Sequence, residues 1–107
     1  MGLFGWRRAS RDTTSPRHAQ HATIAHLTHF ARSRVGVEAY IEPVTNVTQT
    51  TVVLVATTGE WTRRRVPDAR AAREIAKELA IPVYDVQLTG YPPRMREWNA
   101  RQKHNRG

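Results

Sequence analysis

The run Thr50–Thr57 (TTVVLVAT) is the feature that most restricts how this chain can fold. It is rich in β-branched residues and apolar on both faces, which predicts a central strand of a sheet. Thr58-Gly59 follows directly and is typical of a tight turn, in which glycine supplies a positive φ. The segment Glu60–Val66 then returns as a third strand, so we expect a hairpin at the centre of the protein.

A helix and a strand are predicted before this hairpin. Residues 18–34 place Ile24, Leu27 and Phe30 on one helical face, which is wide enough to pack on a core. Residues 37–42 alternate between apolar and polar side chains, which predicts a half-buried strand that ends at Pro43.

A second helix and a fourth strand are predicted after the hairpin. Pro67-Asp68 begins an amphipathic segment that runs through Ala80, with Asp68 as the N-cap, and Val83–Leu88 looks like a further strand. The order is α-β-β-β-α-β. We therefore predict one small α+β domain over residues 18–90, with an antiparallel sheet and helices on one face.

The positive charge of the chain is concentrated at its two ends. Its 107 residues contain 17 Lys and Arg against 9 Asp and Glu, a formal net charge of +8. Residues 1–34 carry a net charge of +5 and residues 91–107 one of +4, while the residues between them carry −1. We expect residues 1–17 to be a disordered basic arm and residues 91–107 to be a basic tail, in which Pro92-Pro93 can open a short helix. Basic arms commonly contact polyanions, and arms that only aid solubility are the alternative.

The third strand carries the main candidate for a binding site. Trp61 and the arginines 63–65 combine a stacking ring with guanidinium groups that match phosphate oxygens. Basic residues of the second helix and the tail can extend this surface. The predicted nucleic-acid-binding residues are Trp61, Arg63, Arg64, Arg65, Arg70, Arg73, Arg94, Arg96, Arg101 and Lys103. The alternative is that the strand arginines pair across the sheet with Glu38, Glu42 and Glu60.

The chain lacks the residue sets of common enzyme sites. It has no cysteine, which excludes disulfides, thiol nucleophiles and zinc sites with cysteine ligands. Nucleophile elbows, phosphate-binding loops, dinucleotide glycine fingerprints and HExxH motifs are missing. We therefore predict no catalytic residue, no metal and no cofactor. A small enzyme that uses an inward-facing Asp85 is the less favoured alternative.

Four histidines share the polar face of the first predicted helix: His18, His21, His26 and His29. Pairs at i,i+3 can chelate a divalent ion weakly, or the face can gain charge below about pH 6.5. No carboxylate or cysteine on this helix completes a tetrahedral site, which favours a solvated polar face.

Membrane segments are not predicted. The longest unbroken apolar run has five residues, whereas a bilayer-spanning helix needs about 20. Leu3, Phe4 and Trp6 stand beside two arginines and suit either an interfacial anchor or a docking peptide, but Trp6 replaces the Ser or Thr of the myristoylation pattern. Because no secretory signal is recognised, we expect a cytoplasmic protein without a membrane partner.

The element order over residues 18–80 resembles that of a double-stranded-RNA-binding domain, including a basic start to the second helix. The resemblance implies phosphate contacts at Arg70 and Arg73, although Pro67-Asp68 replaces that family's Gly-rich and Lys-rich motif. The full order also resembles the core of restriction-type nucleases. Since Glu60-Trp61-Thr62 lacks their Lys and the second strand has no acid, the magnesium site is not implied.

Three segments are similar to a family of small, basic, uncharacterised actinobacterial proteins: GEWTRRRV (59–66), IPVYDV (81–86) and GYPPRMREWNARQ (90–102). This resemblance implies a bacterial cytoplasm and no particular reaction.

The favoured function is non-catalytic binding of nucleic acid, with RNA or a ribonucleoprotein such as the ribosome as the partner. The basic arms and the arginine-rich strand would supply the contacts. The alternative is a protein-interaction or assembly module, in which Phe30, Trp61, Met95 and Trp98 dock on another protein.

Overall fold

The computed structural model describes residues 16–106, with side chains from residue 20 to residue 105. The elements of this part of the chain are α1 (Pro16–Ser33), β1 (Glu38–Glu42), β2 (Thr51–Val55), β3 (Trp61–Arg65), α2 (Ala69–Glu78), β4 (Val83–Asp85), α3 (Val86–Thr89) and α4 (Pro93–Arg106). Apart from its last two residues, the predicted N-terminal arm lies outside the described residues.

The four strands form one mixed sheet in the order β3-β2-β1-β4. The pairs β1–β2 and β2–β3 are antiparallel, whereas β1 and β4 are parallel. The predicted α+β class is confirmed, but the sheet predicted as antiparallel is mixed, because β1 and β4 pair in parallel. Because β3 runs in the same direction as β1, a crossover through α2 brings the chain back to the same end of the sheet, and β4 must enter parallel to β1.

The helices α1 and α2 cover the first face of the sheet and form its main core. Asp68 is the N-cap of α2 as predicted, since its carboxylate accepts a hydrogen bond from the Ala71 amide at 2.8 Å. Inward-facing side chains from β1 and β2 meet those of both helices. The buried members of this core are Leu27, Phe30, Val37, Ala39, Ile41, Val52, Leu54, Ala56, Val66, Ala72, Ile75 and Ala76.

The second face of the sheet carries a smaller core under α4. Tyr40, Val53, Val55 and Met95 are buried together there, with Trp61 packed against them. The prediction that helices cover only one face is therefore wrong: the segment expected to be a tail forms a 14-residue helix whose start docks on the sheet. The helix docks there because it buries the valines of β2 that face away from the first core, and burial of apolar surface is favourable.

The fourth strand is shorter than the predicted Val83–Leu88. Strand pairing ends at Asp85, whose carboxylate accepts a hydrogen bond from the Gln87 amide at 2.8 Å and caps the helical turn α3. In residues 16–106, no helix combines the length and the hydropathy that a membrane crossing requires.

Candidate nucleic-acid interface

An open cleft of about 920 Å³ runs along β3, which is an edge strand of the sheet. Its walls are α1, the loop between β1 and β2, and the segment after β3, which contributes Val66 and Pro67 together with Ile75 of α2. The lining residues are Gln20, Thr23, Thr48, Gln49, Thr51, Arg63, Arg64, Arg65, Val66, Pro67 and Ile75. Within the described residues, this lining contains three arginines and no carboxylate, so the cleft has a positive potential.

Alternation along β3 distributes these arginines between two faces. The register sets Arg63 opposite Val53 and Arg64 opposite Val52. Val53 belongs to the second core and Val52 to the first, so the Trp61, Arg63 and Arg65 side chains share the second face. All three arginines still line one cleft because β3 has no neighbouring strand on its outer side.

Arg63 is fixed by a two-point ion pair with Glu42. Its Nε and Nη2 atoms donate to the two carboxylate oxygens at 2.7 and 2.8 Å. Thr51 and Tyr91 also donate hydroxyl hydrogen bonds to this carboxylate, whose side chain is only 14% exposed. Burial alone would raise the pKa of Glu42, but the hydrogen bonds from Arg63, Thr51 and Tyr91 bring the pKa below its usual value. The Arg63 charge is therefore compensated within the protein.

Arg64 and Arg65 remain the accessible cations of the cleft. Both residues are exposed, and neither forms an ion pair within the described part of the chain. Arg64 donates one hydrogen bond, from Nη1 to the Arg63 carbonyl at 2.8 Å. Its remaining donors, and those of Arg65, are in position to meet an anion.

Trp61 holds α4 against the sheet. Its indole Nε1 donates to the Asn99 side chain at 2.8 Å, and the Arg63 guanidinium lies 5.0 Å from the ring centroid. The ring also packs against the core that contains Met95. Its main observed role is structural, and a base would have to compete with these contacts for the ring.

Arg70 and Arg73 do not extend the cleft. Both residues are exposed on α2, and neither lines the space along β3. Arg70 lies 3.8 Å from Glu74 in a pair whose side chains are 86% and 67% exposed, so this contact contributes little stability.

The predicted contacts in the tail divide into docked and exposed residues. Arg94 donates to Glu38 at 2.7 Å and to the Ala56 carbonyl at 2.9 Å, while Arg101 donates to the Thr58 carbonyl at 2.8 Å. These two arginines fasten α4 to the hairpin. Arg96 and Lys103 are exposed and form no ion pair within the described residues.

The Arg94 contact also organises the polar edge of the second core. Burial would raise the pKa of Glu38, but hydrogen bonds from Arg94 and Tyr40 lower it below the usual value. Burial and the neighbouring Glu38 raise the pKa of Tyr40 to about 12, so this hydroxyl stays protonated as a donor.

Sequence reasoning missed the partner of Glu60. Arg34 donates to both Glu60 oxygens, at 3.1 and 2.6 Å, and its guanidinium lies 4.3 Å from the Phe30 ring centroid. Of the predicted pairings of strand arginines with Glu38, Glu42 and Glu60, only Arg63–Glu42 is observed among the described residues. No local pattern places the end of α1 beside the hairpin, so the sequence contained no signal for the Arg34 contact.

The neutral residues of the cleft were missed for the same reason. Gln20 and Thr23 lie on α1, whereas Thr48 and Gln49 lie in a loop about 25 residues later in the chain. Only the packing of α1 beside β3 brings the two pairs to one cleft. The residue types along the sequence give no sign that these two pairs lie close together.

The histidine face is partly engaged with the sheet. His26 is half-buried, and its Nε2 lies 2.7 Å from the Thr62 hydroxyl. Burial, reinforced by the positive charge of Arg64, lowers the pKa of His26 below its usual value. The side chain of His18 lies outside the described set, and within that set no three metal-binding side chains come together.

No family model, curated protein or solved structure matches this chain.

Proposed function

We propose that this protein is a non-catalytic, cytoplasmic RNA-binding protein whose target is RNA or a ribonucleoprotein such as the ribosome. The observation that carries the proposal is the cleft along β3, which is lined by three arginines and, within the described residues, by no carboxylate. Guanidinium groups bind phosphate oxygens through paired hydrogen bonds, and such contacts dominate the affinity of proteins for nucleic acids.

The use of the acidic residues supports this proposal. Glu38, Glu42 and Glu60 each pair with an arginine inside the fold, and Asp68 and Asp85 cap helices. These carboxylates are therefore occupied by contacts that stabilise the fold. The net positive charge of the whole chain, +8, remains available to attract a polyanion.

Co-purification of the full-length chain, with and without nuclease treatment, tests the proposal directly. We expect RNA to co-purify with the protein, and we expect bound macromolecules to be released by ribonuclease. Binding to RNA in solution should weaken linearly on a plot of log K against log salt. A full-length chain that binds no RNA at low salt would contradict the proposal.

Charge substitutions test the terminal segments better than deletions do. Deletion from residue 94 onwards would remove Arg94, Met95 and Trp98, of which the first two hold the second core together. Neutralisation of the exposed pair, R96Q with K103Q, leaves those interactions intact. If both side chains bind phosphates, each substitution should decrease the salt slope by about 0.7 to 0.9.

A protein partner is the second candidate, and the exposure of Leu88 favours it. This side chain is 85% exposed on α3, close in sequence to Tyr91, which is 44% exposed. Of the docking residues predicted from the sequence, Phe30 and Met95 are only 4% and 7% exposed, and Trp61 packs against the second core. An association that resists nuclease and is weakened by L88S would support this candidate over RNA.

A further inference from the structure

We infer that the cleft along β3 binds one extended single strand of RNA through its sugar–phosphate backbone, an inference that rests on the proposed function. The cleft volume of about 920 Å³ lies in the range of sites that enclose small ligands. A few nucleotides of a single strand fit such a space. A duplex is a wide cylinder, so we expect such a space to accommodate only part of one of its two backbones.

Arg64 and Arg65 supply the two phosphate contacts. Arg63 is already paired with Glu42 through two hydrogen bonds, so its charge adds little. Consecutive strand residues point to opposite sides and lie about 3.3 Å apart, so Arg64 and Arg65 reach around the strand edge from both faces. A backbone that follows the edge meets these guanidinium groups one after the other.

The neutral residues of the cleft suit a ribose. Gln49 donates through Nε2 to the Val66 carbonyl at 3.3 Å, which leaves its side-chain oxygen as an acceptor at the cleft. Gln20 and Thr23 line the cleft from α1. A 2′-hydroxyl can donate to such an oxygen, and this group distinguishes RNA from DNA.

The side chains that line the cleft also indicate whether the protein contacts the bases of the RNA. Within the described residues, no aromatic side chain lines the cleft, and Trp61 is engaged with Asn99 and α4. Base stacking is the usual source of affinity in single-strand grooves, so its absence here favours binding to the backbone with little sequence preference. This geometry also departs from the duplex target that the resemblance to double-stranded-RNA-binding domains implies.

Two variants with equal charge test the site. R64Q/R65Q removes two positive charges from the cleft, and R70Q/R73Q removes two from α2, where both residues lie outside the cleft. The probe is a fluorescently labelled oligouridylate of about 10 nucleotides, within the site sizes of single-strand grooves, titrated with each full-length protein by anisotropy over a series of salt concentrations. The deoxy counterpart and an RNA duplex of about 16 base pairs serve as competitors.

We expect R64Q/R65Q to lose about tenfold or more in affinity and to lower the salt slope by about 1.4, or about 0.7 for each single-strand phosphate. R70Q/R73Q should stay within about threefold of the unmodified protein, because long-range effects between exposed charges are screened. The deoxy probe should bind more weakly, and Q49A should reduce that difference. Unfolding curves that match those of the unmodified protein show that each variant is folded.

Different results overturn different claims. If the unmodified protein binds no RNA, the proposed function fails. If it binds RNA but both double variants lose affinity equally, the RNA-binding function stands and the cleft assignment is wrong. If the duplex displaces the oligouridylate at a lower concentration than unlabelled oligouridylate does, the single-strand assignment is wrong. Displacement by polyglutamate at a still lower concentration would point to an acidic protein partner and would overturn both.

Discussion

The Arg94 guanidinium donates a hydrogen bond to the Glu38 carboxylate at 2.7 Å and thereby joins the first turn of α4 to the first strand of the sheet. The same side chain reaches the Ala56 carbonyl at 2.9 Å, beside the turn of the hairpin. This one side chain therefore attaches α4 at two points, in addition to the apolar packing of the helix and to its contacts through Asn99 and Arg101. A substitution at Gly59, which lies against α4, measures how much this attachment stabilises the fold.

Gly59 should be the most sensitive position for the docking of α4. A Cβ there would lie 2.1 Å from the Arg94 carbonyl oxygen and 2.8 Å from the Trp98 Cβ, and Gly59 has a φ of +95°. We expect G59A to lower the free energy of unfolding by about 3 kcal/mol or more, through backbone strain and displacement of the helix. Urea denaturation measures this loss, and the Trp61 indole NMR signal reports whether its bond to Asn99 breaks.

The matched control for this substitution is G90A. Gly90 has a similar φ of +71°, but a Cβ there meets nothing within 4 Å. G90A should therefore lower the free energy of unfolding only by the cost of the backbone strain, about 1–3 kcal/mol. The Trp61 indole signal should stay unchanged. Equal losses with an undisturbed indole in both variants would show that the close approach to α4 does not matter.

Glu42 should contribute more stability than an exposed glutamate. It accepts hydrogen bonds from Arg63, Thr51 and Tyr91. E42Q keeps the shape of the side chain but removes the charge, so we expect a loss of about 2 kcal/mol in urea denaturation. E97Q, at an exposed position of α4, should stay within about 0.5 kcal/mol of the unmodified protein. A loss of the same size in both would contradict the central role of Glu42 in this hydrogen-bond network.

Acid should destabilise the fold below about pH 4.5. The pKa values of Glu38, Glu42 and Glu60 are lowered from 4.5, because the hydrogen bonds and charges of their arginine partners, together with hydroxyl hydrogen bonds at Glu38 and Glu42, outweigh the opposing effect of burial. Because these folded-state pKa values lie below the unfolded ones, the stabilisation is complete above 4.5 and is lost as the pH falls through the folded values.

Urea denaturation at a series of pH values from about 6 down to about 3 measures this loss. The E60Q variant removes one of the three titrating groups, whose partner Arg34 lies at 2.6 Å. Its stability should therefore depend less steeply on pH below 4.5. A slope identical to that of the unmodified protein would mean that the Arg34–Glu60 pair does not contribute.

Replacement of Ala80 by glycine should stabilise the fold. Ala80 follows α2 with a φ of +57°, a left-handed conformation that costs a residue with a Cβ roughly 1–2 kcal/mol. Part of this gain is offset by the greater freedom of glycine in the unfolded chain, so we expect A80G to raise the free energy of unfolding by about 0.5–1 kcal/mol. A100G, at an exposed position within α4, should lower it by about 1 kcal/mol. Destabilisation by A80G would contradict the assigned backbone conformation.

The elements that the sequence predicted well are those with local signals. The helix predicted over residues 18–34 is observed as Pro16–Ser33, and the strands of the hairpin differ by two residues or fewer at each end. Side-chain periodicity, Gly59 in the turn and Asp68 at the helix start are all readable from neighbouring residues. The cap at Asp85 has a similar signal, but the apolar run around it favoured a longer strand.

What the sequence could not predict depends on distant contacts. The docking of α4 requires Gly59 to face Arg94, and the two lie 35 positions apart in the chain. The arginine strand was identified as a candidate site, but the sequence could not show which arginine would be compensated. Because Arg63 pairs diagonally with Glu42 across β2, the distinction between compensated and accessible charge exists only in the assembled sheet.

The position of the arginine strand at the sheet edge has one further consequence. The outer backbone groups of β3 have no partner strand within the described residues, and such an edge is a template for pairing with another copy of the chain. Two copies that approached along this edge would bring two rows of guanidinium groups together. The arginines of β3 therefore oppose self-association and aggregation through this edge, and neutralising them should make the chain more prone to assemble with itself.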